Sequence, residues 1–151
     1  MLRSRLTEAL KTAMKAKDER AVSTVRMILA KLKERDIEVR PKGNPQGISD
    51  AEMVAMMQDM IKQRRESIEL YEKGRRPELA QKEREEIAVI ESFMPRQLSE
   101  EEMGQAIREV IGEVGAKEAK DMGRVMAKLR ERYAGTMDFA KASGVVRAQL
   151  R

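Results

Sequence analysis

Apolar residues recur at intervals of three and four along almost the whole chain, the spacing of one face of a helix. Leu2, Leu6, Ala9, Leu10, Ala13 and Met14 open the pattern and predict a helix from about Leu2 to Lys17. Asp18 suits the N-cap of a second helix. That helix runs to about Val39, with Val22, Val25, Ile28, Leu29, Leu32 and Ile37 turned inward. Residues 40–47 hold two Pro and two Gly and read as a loop. Ser49-Asp-Ala-Glu52 is a capping box, in which the Ser hydroxyl takes the Glu amide and the Glu side chain reaches back. It opens a third helix that reaches about Lys73, with Gly74 as its stop. Pro77 fits the first turn of a fourth helix, which continues to about Phe93 before Pro95 ends it. Ser99–Glu102 is a second capping box and starts a fifth helix that stops at Gly115. A sixth covers about Asp121–Tyr133 and a seventh about Asp138–Leu150. Alternating strand patterns are absent. The expected class is all-α: an N-terminal domain of about four helices, residues 1–97, and a C-terminal three-helix domain, residues 98–151.

Charge interrupts the apolar stripes at one place. Met53, Met57, Met60, Ile61, Ile68 and Tyr71 share a face of the third helix, and Arg64 falls in the middle of it, with Gln63 and Ser67 at the edge. Leu79, Ile87, Ile90 and Met94 share a face of the fourth, and Glu83 and Glu86 fall inside it. Two helices joined by a tight break pack antiparallel, so the arginine should meet the glutamates. Two readings stay open: a structural ion pair between helices, or a polar groove that receives a ligand or partner.

Composition narrows the chemistry. The 151 residues include 12 Met but only 3% aromatics, so the core must be built from aliphatic and methionine side chains. No Cys and no His are present. That removes the usual zinc ligand sets, thiol nucleophiles, disulfides and imidazole acid–base chemistry, and no metal or cofactor is expected. The missing cysteine fits a reducing cytosol, so a cytoplasmic location is expected. No apolar run approaches the roughly 18 residues of a membrane span. The N-terminus is basic and amphipathic, but it contains Glu8 and leads straight into more helix, unlike a secretory signal. A mitochondrial-type presequence is the alternative.

The net charge of +5 is unevenly spread. Residues 1–48 carry 12 basic and 6 acidic side chains, whereas residues 49–95 carry 8 and 11. Both ends are basic, which permits contact with nucleic acid. The best candidate row is Lys117, Lys120, Arg124 and Lys128, opposite the apolar stripe of the sixth helix and suited to a phosphate backbone. The competing reading is a solvated helix face. Gly123 inside that helix costs on the order of 1 kcal/mol against Ala, so a close approach by another helix or a ligand is expected there. Arg75-Arg76 could take a phosphate, although exposed turns are often charged for solubility. There is no Walker-type phosphate loop. Ser67 and Ser143 lack a His partner, and no catalytic residue is assigned.

Longer motifs carry a resemblance. Lys62-Gln-Arg-Arg-Glu-Ser-Ile68, Glu69-Leu-Tyr-Glu-Lys-Gly-Arg-Arg-Pro-Glu-Leu-Ala80 and Glu91-Ser-Phe-Met-Pro-Arg-Gln-Leu98 resemble the YqeY family over nearly the whole chain. Gly115-Ala116, Asp121-Met-Gly-Arg-Val-Met126, Gly135 and Asp138 are also similar to the tail domain of GatB, over roughly residues 90–151. GatB is a subunit of the glutamine-dependent aspartyl/glutamyl-tRNA amidotransferase. The resemblance implies an all-helical fold with a C-terminal three-helix domain, and a tail that helps hold tRNA. It also links the chain to carbon–nitrogen ligase chemistry with glutamine as amido donor. In the larger enzyme that chemistry belongs to parts this chain lacks, so the chain is not expected to be an enzyme on its own. The tail pattern has Ala-Asp after its second Gly, whereas Thr136-Met137-Asp138 follow Gly135 here. Two functions follow: a module binding tRNA or a tRNA-handling complex, or one docking on a protein partner through an apolar helical groove without RNA contact.

Overall fold

The computed structural model describes residues 1–150 and is all-α, with no strand among them. Helices α1 (Leu2–Lys15), α2 (Glu19–Val39), α3 (Asp50–Lys73) and α4 (Pro77–Glu91) are followed by α5 (Glu100–Val114), α6 (Met122–Tyr133) and α7 (Phe139–Gln149). Short 3-10 turns occupy Arg40–Lys42 and Ala119–Asp121. The chain divides into two compact units, Met1–Met94 and Pro95–Arg151, each with its own core.

The caps explain the boundaries. Asp18 accepts the amide of Ala21 and starts α2. Both capping boxes form, Ser49 with Glu52 and Ser99 with Glu102, and satisfy amides that the first helical turn leaves without partners. Asp138 accepts the amides of Ala140 and Lys141 at the start of α7. α3 ends at Lys73 with Gly74 as its C-cap, as the sequence indicates, but the left-handed turn falls one residue later. Gly74 keeps a negative φ of −83°, and Arg75 takes the left-handed conformation at φ +57° instead. The chain therefore holds strain at an arginine where the adjacent glycine could have absorbed it.

In the first unit α3 packs along α4, α1 along α2, and α2 also lies against α4. The core mixes aliphatic side chains with buried Met53, Met56, Met57 and Met60, and Met94 packs at its partly buried edge. Phe93 is the aromatic ring among its buried residues. Two residues expected inside lie outside: Met14 is 52% exposed and Ile37 is 53% exposed. Both sit near helix ends, where the neighbouring helix no longer covers their side of the wheel. In the second unit α5, α6 and α7 contact one another pairwise around Ile107, Val110, Val125, Leu129 and Val146. Met137, in the turn before α7, is fully buried beside them.

An unanticipated latch closes the loop between α2 and α3. Arg3 donates to both carboxylate oxygens of Asp36, at 2.5 and 2.9 Å, and to the carbonyl of Ile48 at 2.6 Å. The amide of Ile48 donates back to Asp36 at 2.9 Å. One guanidinium and one carboxylate therefore tie α1, α2 and the approach to α3 together. Gly47 passes under this pair at φ +87°, and a Cβ there would overlap the Asp36 carboxylate. The Arg3 hydrogen bond holds the Asp36 carboxyl below its ordinary value, against the opposing effect of burial.

Three outcomes are expected. Asp36→Ala should cost about 2–3 kcal/mol, less than a fully buried pair because Arg3 is about a third exposed. Asp36 ionises more readily folded than unfolded, so its contribution is complete above the ordinary aspartate pKa and disappears as pH falls through the lowered folded value. The gap between wild-type and Asp36→Ala melting temperatures should thus close in acid. We also expect residues 95–151, expressed alone, to melt cooperatively; a fragment without a transition would show that the second unit needs the first to fold.

Candidate nucleic-acid face and the buried charge network

Arg64 emerges from the methionine face of α3. Its Nε donates to Glu86 Oε2 at 2.8 Å and lies 3.9 Å from Glu83. Its Nη1 donates to the Met60 carbonyl at 3.1 Å, and its Nη2 meets the Met27 sulfur at 3.6 Å. Glu86 is only 4% exposed. Arg20 arrives from α2, 4.0 Å from Glu86 and 3.4 Å from Glu85. The network thus joins α2, α3 and α4, with three carboxylates facing two guanidiniums. Burial raises the Glu83 pKa, and repulsion from Glu86 adds to it, against the pull of Arg64. Arg20 Nε is buried and attracts Glu85 by charge alone, without hydrogen-bond geometry. Ser67, at the network's edge, donates to the Gln63 carbonyl one turn back, so its hydroxyl is not held as a nucleophile. Sequence reasoning brought Arg64, Glu83 and Glu86 to one place; it missed Arg20, whose position on the wheel of α2 looks like solvent edge.

The four cations of the candidate row do not form one helical stripe. Lys117 precedes the 3-10 turn, Lys120 lies in it, and only Arg124 and Lys128 stand on α6. Lys117, Lys120 and Arg124 are exposed and Lys128 is half-buried. Carboxylates accompany three of them: Glu118 lies 3.3 Å from Lys120, Asp121 2.9 Å from Arg124 and Glu131 3.9 Å from Lys128. Arg124 is committed further, because its Nη1 donates to the Val114 carbonyl at 3.0 Å and satisfies the C-terminal end of α5. Asp121 accepts from Arg124 and from the amides of Lys117 and Glu118. Those hydrogen bonds, the Lys117 amide first, bring its pKa down to about 2. Asp121 and Arg124 are therefore a bracket that shapes the turn into α6. No other helix approaches Gly123: beyond its own turns of α6, no atom lies within 4 Å of where its Cβ would be. The glycine faces open space, and nothing in the structure explains it.

Elsewhere in the first unit, α1, the start of α2 and the end of α4 border an open groove of about 510 Å³. Ala9, Ala13, Ala21, Val25, Val89 and Phe93 line much of it. Its breadth comes from alanines, which leave room that larger side chains would fill. Among the described residues no acidic cluster is arranged to hold a metal ion, and no helix is long and apolar enough to cross a membrane.

The family model for Yqey-like protein matches residues 3–150. The chain belongs to that family. Relatives of this Yqey-like chain include a protein of Eremothecium gossypii named "Altered inheritance of mitochondria protein 41, mitochondrial". It is 35% identical over 89 residues, covering 59% of this chain and 46% of the relative. The protein of that name in Kluyveromyces lactis is 31% identical over 88 residues, 58% of this chain and 45% of its own. In Pyrenophora tritici-repentis the identity is 27% over 133 residues, covering 85% and 71%. The chain spans about half the length of the first two relatives. Their names place these relatives in mitochondria, which overturns the cytoplasmic expectation. A lack of cysteine is compatible with any reducing compartment and does not distinguish among them.

Arg64→Met is expected to cost about 3–5 kcal/mol, since it strands Glu86 in the core. In a background with Glu83 and Glu86 changed to Gln, the same substitution should cost little; denaturant melts of the four proteins measure the coupling. Glu83→Gln tests the sign of a raised pKa. The folded chain holds that proton more tightly, so the favourable contribution is full below the ordinary glutamate value and is lost as pH rises through the folded one. Wild type should therefore lose stability relative to Glu83→Gln between mildly acidic and neutral pH.

Proposed function

We propose that this chain is a non-catalytic helical module that contacts tRNA or a tRNA-handling complex through the cations around the start of α6. The observation behind this reading is a local excess of positive charge. Lys117 to Arg132 hold six basic and three acidic residues; Lys117, Lys120 and Arg124 among them are exposed and Lys128 is half-buried, while Val125, Met126 and Leu129 turn inward. The Lys120 and Lys128 ion pairs are exposed. Surface pairs of that kind contribute about 0–1 kcal/mol, so a phosphate competes with Glu118 for Lys120 and with Glu131 for Lys128. Lys117, Lys120 and Lys128 are the contacting residues, and Arg124 serves by holding the turn. The choice of tRNA over other RNA draws on the similarity of this segment to the amidotransferase tail. Tyr133 packs on the core, and Arg130 lies 5.9 Å over the Phe139 ring, so neither ring is free to stack a base. Recognition is then of backbone and shape.

Changing Lys117, Lys120 and Lys128 to Gln should weaken binding to bulk tRNA while leaving the thermal melt unchanged. The log–log salt slope should flatten by roughly 0.7–0.9 for each phosphate no longer engaged. Wild type without salt-dependent binding at micromolar concentration, or a triple variant that binds equally well, would give the lead to docking on a protein partner. Arg124→Gln is expected to differ in kind by lowering the melting temperature, because it frees the end of α5.

A further inference from the structure

The first unit carries a second row of cations whose surroundings differ from those of α6. Arg26 and Lys33 on α2 and Arg40 at its C-cap recur every seven residues and are all exposed. Arg40 keeps helical geometry at φ −56° and ψ −48°, so the row continues to the end of the helix. At about 1.5 Å per residue, its members stand about 10.5 Å apart and span about 21 Å. Seven residues make almost two whole turns, so the three side chains project to one side. That side lies roughly 100° round the wheel from buried Val25, Ile28 and Leu32.

The nearby acids do not neutralise this row. Asp36 is buried and bonded to Arg3 and to the Ile48 amide, acting on Arg40 only through space. Glu34 pairs with Lys31 at 3.4 Å. Among the described residues no carboxylate stands within ion-pairing distance of Arg26, Lys33 or Arg40, whereas three of the four cations near α6 have one. The inward use of Asp36 thus concentrates the basic excess of residues 1–48 on the outer side of α2.

We propose that the outer face of α2 binds a nucleic-acid phosphate backbone through Arg26, Lys33 and Arg40, without reading the bases. A backbone presents closely spaced charges along a line, which matches three cations fixed on a straight rod. The residues between them on this face, Ala30 and Ile37, are aliphatic, so no ring is available for base stacking. A bilayer fits less well, because the apolar side of α2 is already buried and leaves Ile37 as the large side chain to insert. This face uses other residues than the α6 row, in the other unit, and can fail or succeed independently of it.

The test uses the full chain and a fluorescent oligouridylate, with anisotropy read across a salt series. Three phosphates engaged on a single strand imply that wild type loses about 20-fold more affinity than Arg26→Gln/Lys33→Gln/Arg40→Gln between about 50 and 200 mM salt. Lys33→Gln alone should flatten the slope by about 0.7, which keeps the test valid if the triple variant melts early. Arg26→Lys/Arg40→Lys should retain the wild-type slope. A triple variant with the wild-type slope overturns the proposal. So does a wild type that ignores the oligonucleotide and binds phosphatidylserine vesicles instead. Loss of slope confined to the Lys117/Lys120/Lys128 variant overturns it while leaving the α6 reading intact.

Discussion

Glu86 must keep a partner inside a core made of methionine and aliphatic side chains, and that requirement orders the first unit. An unpaired buried carboxylate costs several kcal/mol, so α3 must present Arg64 within reach, at 2.8 Å, and α2 must bring Arg20 alongside. Methionine packs in many arrangements at similar cost. A core rich in it gives cohesion without strongly selecting one register. The charge network supplies the selection, because sliding α3 past α4 by one turn, about 5.4 Å, would separate the pair. Arg3 and Asp36 do the corresponding work at the far end, fixing where α1 and the start of α3 meet α2.

The second unit is held differently. Its helices bury Met103 and Met126 among small and branched side chains, and polar contacts fix the connections between them. The Leu98 amide donates to the Thr136 carbonyl, and the Gln97 side chain to the Gly135 carbonyl. The segment leading into α5 is thereby stitched to the turn before α7. Met137 in that turn is fully buried and anchors it in the core.

The helices were legible because their signals are local. Capping boxes, periodic apolar positions and Pro77 act within one or two turns, and the boundaries from Ser49 onward follow them closely. Arg64 and Glu86 were legible because a charge inside an apolar stripe has to be answered across the nearest interface. Arg3 and Asp36 were not, since each sits at a stripe's edge and their meeting depends on a loop conformation set by Gly47. The α6 row was read from a helical wheel that does not apply through a 3-10 turn, which is why Arg124 is tied to Asp121 and Val114 while Lys120 faces Glu118. The basic excess of residues 1–48 was legible, but not its concentration on the outer face of α2, which depends on Asp36 turning inward to Arg3 and Ile48.

The buried methionines of α3 also give this molecule an internal chemical clock. Met53, Met56 and Met57 are almost wholly shielded, while Met1 and Met14 stand in solvent. A mild peroxide converts an accessible thioether to sulfoxide, and a shielded one reacts only when the structure opens. Met103 and Met137 are buried in the other unit. Peptide masses followed over time would therefore report the opening of each unit separately, from sulfur atoms the chain already contains.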